Sequence, residues 1–180
     1  MPLPTLPTER LLLRPFDTAD ALAVQRLAGD REVASNTLTI PHPYEDGMAK
    51  AWIEGQAGNW AERRILTLAV TTAEDGVLGA IGIHLKLEHL RGELGYWIGV
   101  PFWNRGYATE AAGAMIEFGF SSLGLNRIEA HHFTRNPASG RVMEKLGMTL
   151  EGVRREHVLK DDTLEDLALC AILHSDPGRG

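Results

Sequence analysis

The chain has one cysteine, Cys170, in 180 residues, which excludes an internal disulfide and a cysteine-based zinc site and fits a reducing compartment. It has no basic excess. Eighteen Lys and Arg stand against 24 Asp and Glu, a formal net charge of -6, so the positive face that duplex nucleic acid or an anionic membrane surface demands is missing. No apolar run approaches membrane-spanning length. Met1-Pro2-Leu3-Pro4 is not a basic region followed by an apolar stretch, so no targeting segment is expected and the cytoplasm is the expected location. Internal repeats and low-complexity segments are also absent.

What is there is ordinary globular material. Hydrophobic residues make up 44% and charged ones 23%, which predicts one folded domain over residues 1–180 with a frayed tail at 175–180. The apolar stretch Thr8–Phe16 reads as a first strand. Asp17 then caps a helix carrying Leu22, Val24 and Leu27 and stopping at Gly29. Residues 30–43 read as irregular around Pro41-His42-Pro43, a place for a substrate lid, and a helix follows over Tyr44–Ala61. ILTLAVTT and VLGAIGIHLKL, joined by Glu74-Asp75-Gly76, form a hairpin, and ELGYWIGV completes an antiparallel meander.

From Gly106 the period becomes helical, with Tyr107, Ala111, Met115, Phe118 and Ser122 on one face and Gly124 at the stop. Arg127–Thr134 reads as a strand. Asn136-Pro137 opens another helix that ends at Gly147, and MTLEGVRREHVL and TLEDLALCAIL form a closing strand pair around Lys160-Asp161-Asp162.

The strand-loop-helix junction at residues 93–122 is the most informative stretch. Free N–H groups of Arg105, Gly106, Tyr107, Ala108 and Thr109 would lie at the positive end of the helix dipole, and Gly106 permits close backbone approach to a phosphate. A hydrogen bond to a charged group contributes about 1.5–3 kcal/mol and the dipole about 0.3–1 kcal/mol, so the amides dominate such an anion site. The plainer reading of Arg105-Gly106 is a turn before an amphipathic helix. No Gly-Lys-Ser/Thr follows, and the three-glycine dinucleotide pattern is not present, so nucleotide hydrolysis has no support.

Tyr96-Trp97-Ile98, the run from Phe102 to Ala111, Asn136-Pro137-Ala138-Ser139 and the run from Val142 to Met148 together resemble the GNAT superfamily of acyl-CoA-dependent N-acyltransferases, in particular the branch containing ribosomal-protein N-terminal acetyltransferases. The family loop is usually written Gln/Arg-x-x-Gly-x-Gly/Ala. Here Trp103, Gly106 and Ala108 hold those places. The resemblance implies a mixed α/β (α+β) fold, with a central, mostly antiparallel, splayed sheet of about seven strands flanked by helices. It implies acetyl-CoA as co-substrate, its pantetheine arm paired with backbone at Ile98, Gly99 and Val100 and its pyrophosphate on the amides from Arg105 to Thr109. Asn136 and Ser139 would contact the arm and the region near the sulfur, and Arg141 a CoA phosphate. The implied reaction is acetyl transfer by direct attack of a primary amine in a ternary complex. The acceptor is a protein N-terminus or a small-molecule amine, and the enzyme a monomer or homodimer.

The chemistry needs a deprotonated amine, and free amines ionise near about 8 to 10.4. Glu93, at the start of the strand entering the CoA site, is the candidate base. Its alternatives are a solvated strand-end charge or a carboxylate that orients substrate. Ser139 is the candidate hydrogen-bond or proton donor to the departing thiolate, while Asn136 and Ser139 also suit a capped first helical turn. Many family members use a tyrosine as the acid, and no tyrosine follows Tyr107 here. That absence is the support for the alternative of a non-catalytic acyl-CoA-binding sensor or interaction module. His131 and His132 alternate on a strand, which predicts that only one approaches the substrate, and no metal is expected. Cys170 reads as core, Ser121-Ser122 lacks a nucleophile elbow, Trp52 and Trp60 read as packing, and Lys145 as a solvated charge beside Arg141.

Overall fold

The computed structural model describes residues 2–176. Among them are eight strands: β1 (Leu6–Pro7), β2 (Leu12–Arg14), β3 (Ile65–Thr72), β4 (Gly76–Lys86), β5 (Arg91–Ile98), β6 (Arg127–Phe133), β7 (Thr149–Lys160) and β8 (Thr163–Leu173). They form one sheet in the order β1-β2-β3-β4-β5-β6-β8-β7. Every neighbouring pair is antiparallel except β5–β6. The helices are α1 (Ala21–Ala28), α2 (Arg31–Ser35), α3 (Met48–Ala61), α4 (Tyr107–Ser121) and α5 (Pro137–Lys145). The mixed, mostly antiparallel architecture is the one the sequence predicts, with one more strand.

That strand arises at the N-terminus. Thr8 Oγ1 donates to the Leu11 carbonyl and accepts from the Leu11 N–H (3.1 and 2.9 Å), and this side-chain turn breaks the expected strand Thr8–Phe16. Only Leu12–Arg14 pairs with β3. The capping residues behave as read: Asp17 and Asp20 form a reciprocal capping box around a 3-10 turn that leads into α1. The stretch 30–43 is not wholly irregular, because Asp30 accepts from the Glu32 N–H (2.8 Å) and starts the five-residue α2. The next helix begins at Met48 rather than Tyr44, since Gly47 before it has φ +85°. Strand β5 stops at Ile98, and Val100–Phe102 form a 3-10 turn.

Helix α4 packs on one face of the sheet, where Met115 and Ile116 meet Leu66, Leu68, Ile81, Ile83 and Ile128 in the main core. Each such side chain stabilises the fold by about 1.5–3 kcal/mol. The buried face of α4 runs through Ala111, Ala112, Met115, Ile116, Gly119 and Phe120, so the predicted stripe is rotated and Phe118 is only partly buried. Cys170 belongs to this core, and burial pushes its thiol pKa up. On the other face, α1 and α3 bury Val24, Ala28, Ala49 and Ile53 against Ala69 and Val77.

The parallel pair sets the functional geometry. β5 and β6 are in register only at Arg91–Arg127, Gly92–Ile128 and Glu93–Glu129. Beyond Glu93, β5 stays with β4 while β6 stays with β8. The sheet therefore forks. Glu129 lies across its base, bonded to Arg91 (3.3 Å) on one arm and to Arg127 (3.1 Å) on the other.

At the closing end, Asp176 is tied to Leu173 by two hydrogen bonds (2.8 and 3.1 Å), while the rest of the predicted tail, residues 177–180, lies outside the described residues. Among the described residues no helix is long and apolar enough to cross a membrane.

Candidate active site

Two cavities meet at the fork. The smaller, about 310 Å3, runs between the N-termini of α4 and α5 and is lined by Ile98, Gly106, Tyr107, Ala108, Thr109, Asn136, Ser139 and Arg141, among others. The larger, about 740 Å3, lies between α3 and the sheet and includes Glu93 and His131. Asn36, Thr37, Tyr96, Trp97 and Ser139 border both.

The smaller cleft has the features of an anion site. Gly106 has φ +80°, a left-handed conformation that strains any L side chain, and a Cβ there would lie 3.3 Å from Arg10 Nη2. The first turn of α4 leaves the Tyr107, Ala108 and Thr109 amides without intrahelical partners, because the first return bond runs from the Glu110 N–H to the Gly106 carbonyl (3.0 Å). Arg141 and Lys145 add cations from α5.

The loop itself is held from three sides. The Trp103 indole donates to the Ile98 carbonyl (2.6 Å), which gives the residue departing from the family pattern a structural task. Arg10 donates to the Arg105 carbonyl (3.0 Å) and pairs with Glu110 (2.6 Å). Burial raises the pKa of the Glu110 carboxyl, but the hydrogen bonds from Thr8 and Arg10 outweigh it and hold the group below the usual carboxylate range.

Not every expected cofactor residue borders the cleft. Gly99, Val100 and Arg105 lie outside its lining. Gly99 donates to the Leu78 carbonyl (2.8 Å), and a Cβ on it would press on Leu27 (2.7 Å), so packing explains this glycine. By the two-residue period of a strand, the Tyr96 and Ile98 backbone groups then turn away from β4 toward the fork. The Ile98 carbonyl takes the Trp103 indole, so the groups facing the fork there are the Ile98 amide hydrogen and the Tyr96 N–H and carbonyl. The Arg105 guanidinium sits over the Phe102 ring, 5.8 Å from its centre.

Tyr96 and Ser139 join the two cavities, with 2.8 Å between their hydroxyl oxygens. Asn136 accepts from the Ser139 N–H (3.2 Å), so it caps α5 while also lining the smaller cleft. Burial pushes the Tyr96 phenol up to about 12, against the lowering effect of its Ser139 bond. The family pattern directs attention to a tyrosine after Tyr107, and this one precedes it. Its signal in the sequence is a hydroxyl on the apolar face of β5, between Leu94 and Ile98, where a buried tyrosine needs a partner.

Glu93 lies at the crotch of the fork, its side chain 44% exposed, with Oε1 3.4 Å from His131 Nδ1. His84 stands opposite it on β4. His131 and His132 both border the larger cavity, so strand alternation does not separate them as expected: at the fork β6 presents its edge as well as its faces. They differ in partners, since His132 Nδ1 contacts the Phe133 carbonyl (2.8 Å) and its ring lies against Gly140. The roof of this cavity is the 36–41 segment. It hangs from Arg135, which donates to the Ser35 carbonyl (2.7 Å) and Asn36 Oδ1 (3.2 Å), and from the buried Lys160, which donates to the Ile40 carbonyl (2.8 Å).

Residues 10–149 match the model of the acetyltransferase (GNAT) domain family. The chain is 33% identical over 172 residues to the uncharacterized N-acetyltransferase YoaA of Bacillus subtilis, covering 94% of this chain and 97% of that one. Among solved structures, a GNAT-family acetyltransferase from Bacillus anthracis superposes with a TM-score of 0.84 at 28% identity over 96% of this chain and all of that one. Mycobacterium smegmatis RimJ in complex with CoA-disulfide has the same fold, with a TM-score of 0.84 at 22% identity over 98% of this chain and 90% of the other.

Proposed function

The chain belongs to the GNAT acetyltransferase family, and on that premise we propose that it moves the acetyl group of acetyl-CoA to a primary amine by direct attack within a ternary complex. The observation that carries this reading is the junction of two cavities at Tyr96 and Ser139, one built for an anion and one holding a carboxylate. Acetyl-CoA supplies an activated thioester. The Tyr107, Ala108 and Thr109 amides, with Arg141 and Lys145, would hold its phosphates, each charge-assisted bond contributing about 1.5–3 kcal/mol. Amide hydrogens on the free edge of β5 would polarise the thioester carbonyl, where one well-placed donor is worth about 2.7–4 kcal/mol.

The attacking amine must lose a proton, and the Glu93–His131 pair lies at the acceptor end of the site to receive it. At the other end a thiolate departs. A thiol in water ionises near about 8.5, so a phenol held at about 12 would protonate it at a cost of roughly 5 kcal/mol. Tyr96 therefore keeps its proton and acts by orienting the Ser139 hydroxyl, which donates the hydrogen bond to sulfur. A hydroxyl pair at the junction also supplies the donor whose absence would favour a non-catalytic sensor. We place the activity in the cytoplasm, in keeping with a buried free thiol.

The test is release of CoA thiol from acetyl-CoA across a panel of amines. The reading expects turnover with at least one amine and its loss in Ser139→Ala. Tight acetyl-CoA binding with no thiol from any amine would return the protein to the sensor class.

A further inference from the structure

The larger cavity is where an acceptor must sit if acetyl-CoA fills the smaller cleft. Its chemistry is lopsided. Histidines aside, Glu93 is the one ionic side chain among the described residues that line it, and no Lys or Arg borders it. Tyr44, Met48 and Trp52 on the helical side and Trp97 on the sheet make much of the wall apolar and aromatic, with uncharged polar side chains such as Gln56, Asn59 and Thr67 and three histidines between them.

The space is also kept clear. Gly55 on α3 and Gly95 on β5 both line the cavity, and a Cβ on either would meet nothing within 4 Å. Neither has the positive φ that would demand glycine. Packing and backbone geometry therefore leave these two positions unexplained, whereas a flat body lying between α3 and the sheet would use the room they leave.

Building on the acetyl-transfer reading, on which this rests, we infer that the acceptor is a monoamine on an uncharged apolar body, preferably aromatic. One carboxylate matches one ammonium. A free amino acid would bring a second carboxylate, which would meet Glu93 as a like charge and find no Lys or Arg on the wall, only His84, His131 and His132. A polyamine would bring further ammonium groups with no further carboxylate to neutralise them. An arylalkylamine brings neither, and its ring can pack among Tyr44, Trp52 and Trp97.

Four probes test this: phenethylamine, phenylalaninamide, phenylalanine and spermidine, each measured by CoA thiol release with the wild-type protein. Phenethylamine and phenylalaninamide should have kcat/KM at least a hundredfold above phenylalanine and spermidine. Phenylalanine or spermidine reacting within tenfold of phenethylamine overturns the inference while leaving acetyl transfer intact. No thiol from any of the four or from a wider amine panel, with acetyl-CoA bound, instead removes the acetyl-transfer reading itself. Gly95→Val gives an independent readout. It should raise KM for phenethylamine at least tenfold with the melting temperature and acetyl-CoA affinity unchanged, and an unchanged KM in a folded variant argues that the acceptor body lies elsewhere.

Discussion

Replacing Tyr96 with Phe removes one oxygen at the junction of the two cavities and keeps the ring that packs on the main core. What is lost is the 2.8 Å bond to Ser139 Oγ and the longer one, 3.4 Å, donated to the Ser139 carbonyl. Between neutral groups such a bond is worth about 0.5–1.5 kcal/mol, which sets the expected loss of fold stability. In turnover the ceiling is higher, because the Ser139 hydroxyl that Tyr96 orients would face a developing thiolate, and a hydrogen bond to a charged group is worth about 1.5–3 kcal/mol. The variant should therefore lose about 10- to 150-fold in kcat, with KM for acetyl-CoA nearly unchanged. Since burial keeps the phenol protonated up to about 12, the ratio of wild-type to variant rate should be flat from about pH 6 to pH 9. Steady-state thiol release across that range, for wild type, Tyr96→Phe, Ser139→Ala and the double variant, checks each point. Because Tyr96 acts through Ser139, the double variant should be no slower than Ser139→Ala alone. Additive losses, a ratio that climbs with pH, or a Tyr96→Phe loss below twofold would each refute the arrangement.

Other substitutions probe the remaining parts. Glu93→Gln should lower kcat/KM by about 100-fold or more, and a loss below about tenfold would hand the base role to another group. Gly106→Ala forces a side chain into a left-handed turn at a strain of about 1–2 kcal/mol, so the affinity for acetyl-CoA by titration calorimetry should fall by about 5- to 30-fold. The Glu110 carboxyl has its pKa lowered in the fold, so its pairing stabilises the protein above the unfolded-state carboxylate range and is lost as pH falls through the folded value. Glu110→Gln should therefore be less stable than wild type in chemical denaturation at neutral pH, with the gap closing as the pH is lowered through and below about 4.

The parts legible in the sequence are those written within a few residues of one another. The Asp75-Gly76 hairpin, the Asp17 cap, the glycine before α4 and the Asn136 cap of α5 all depend on local backbone chemistry, and all appear where the residues put them. The anion cleft follows from the same local rule. What depended on distant partners was not legible. Arg10 meets Glu110 from the far side of the chain, and Tyr96 reads as one more apolar strand residue until α5 brings Ser139 to it. The short α2 lies below the length at which helical periodicity can be recognised in a sequence. Gly99 differs again: its residue type suggests ligand approach, while its surroundings show Leu27 filling the space.

The chamber beside the cleft has its floor on β3, β4 and β5, whereas its ceiling is slung from Arg135 and Lys160 across the divide. Its height is thus a distance between two halves of the molecule, not a property of either. Changes in the β7–β8 hairpin would consequently reshape what the chamber admits while the α4 amides proposed to hold the phosphates stay as they were. On the proposed reading, selectivity and donor handling would be mechanically separable, and a lineage could alter the first by editing residues that never touch a substrate.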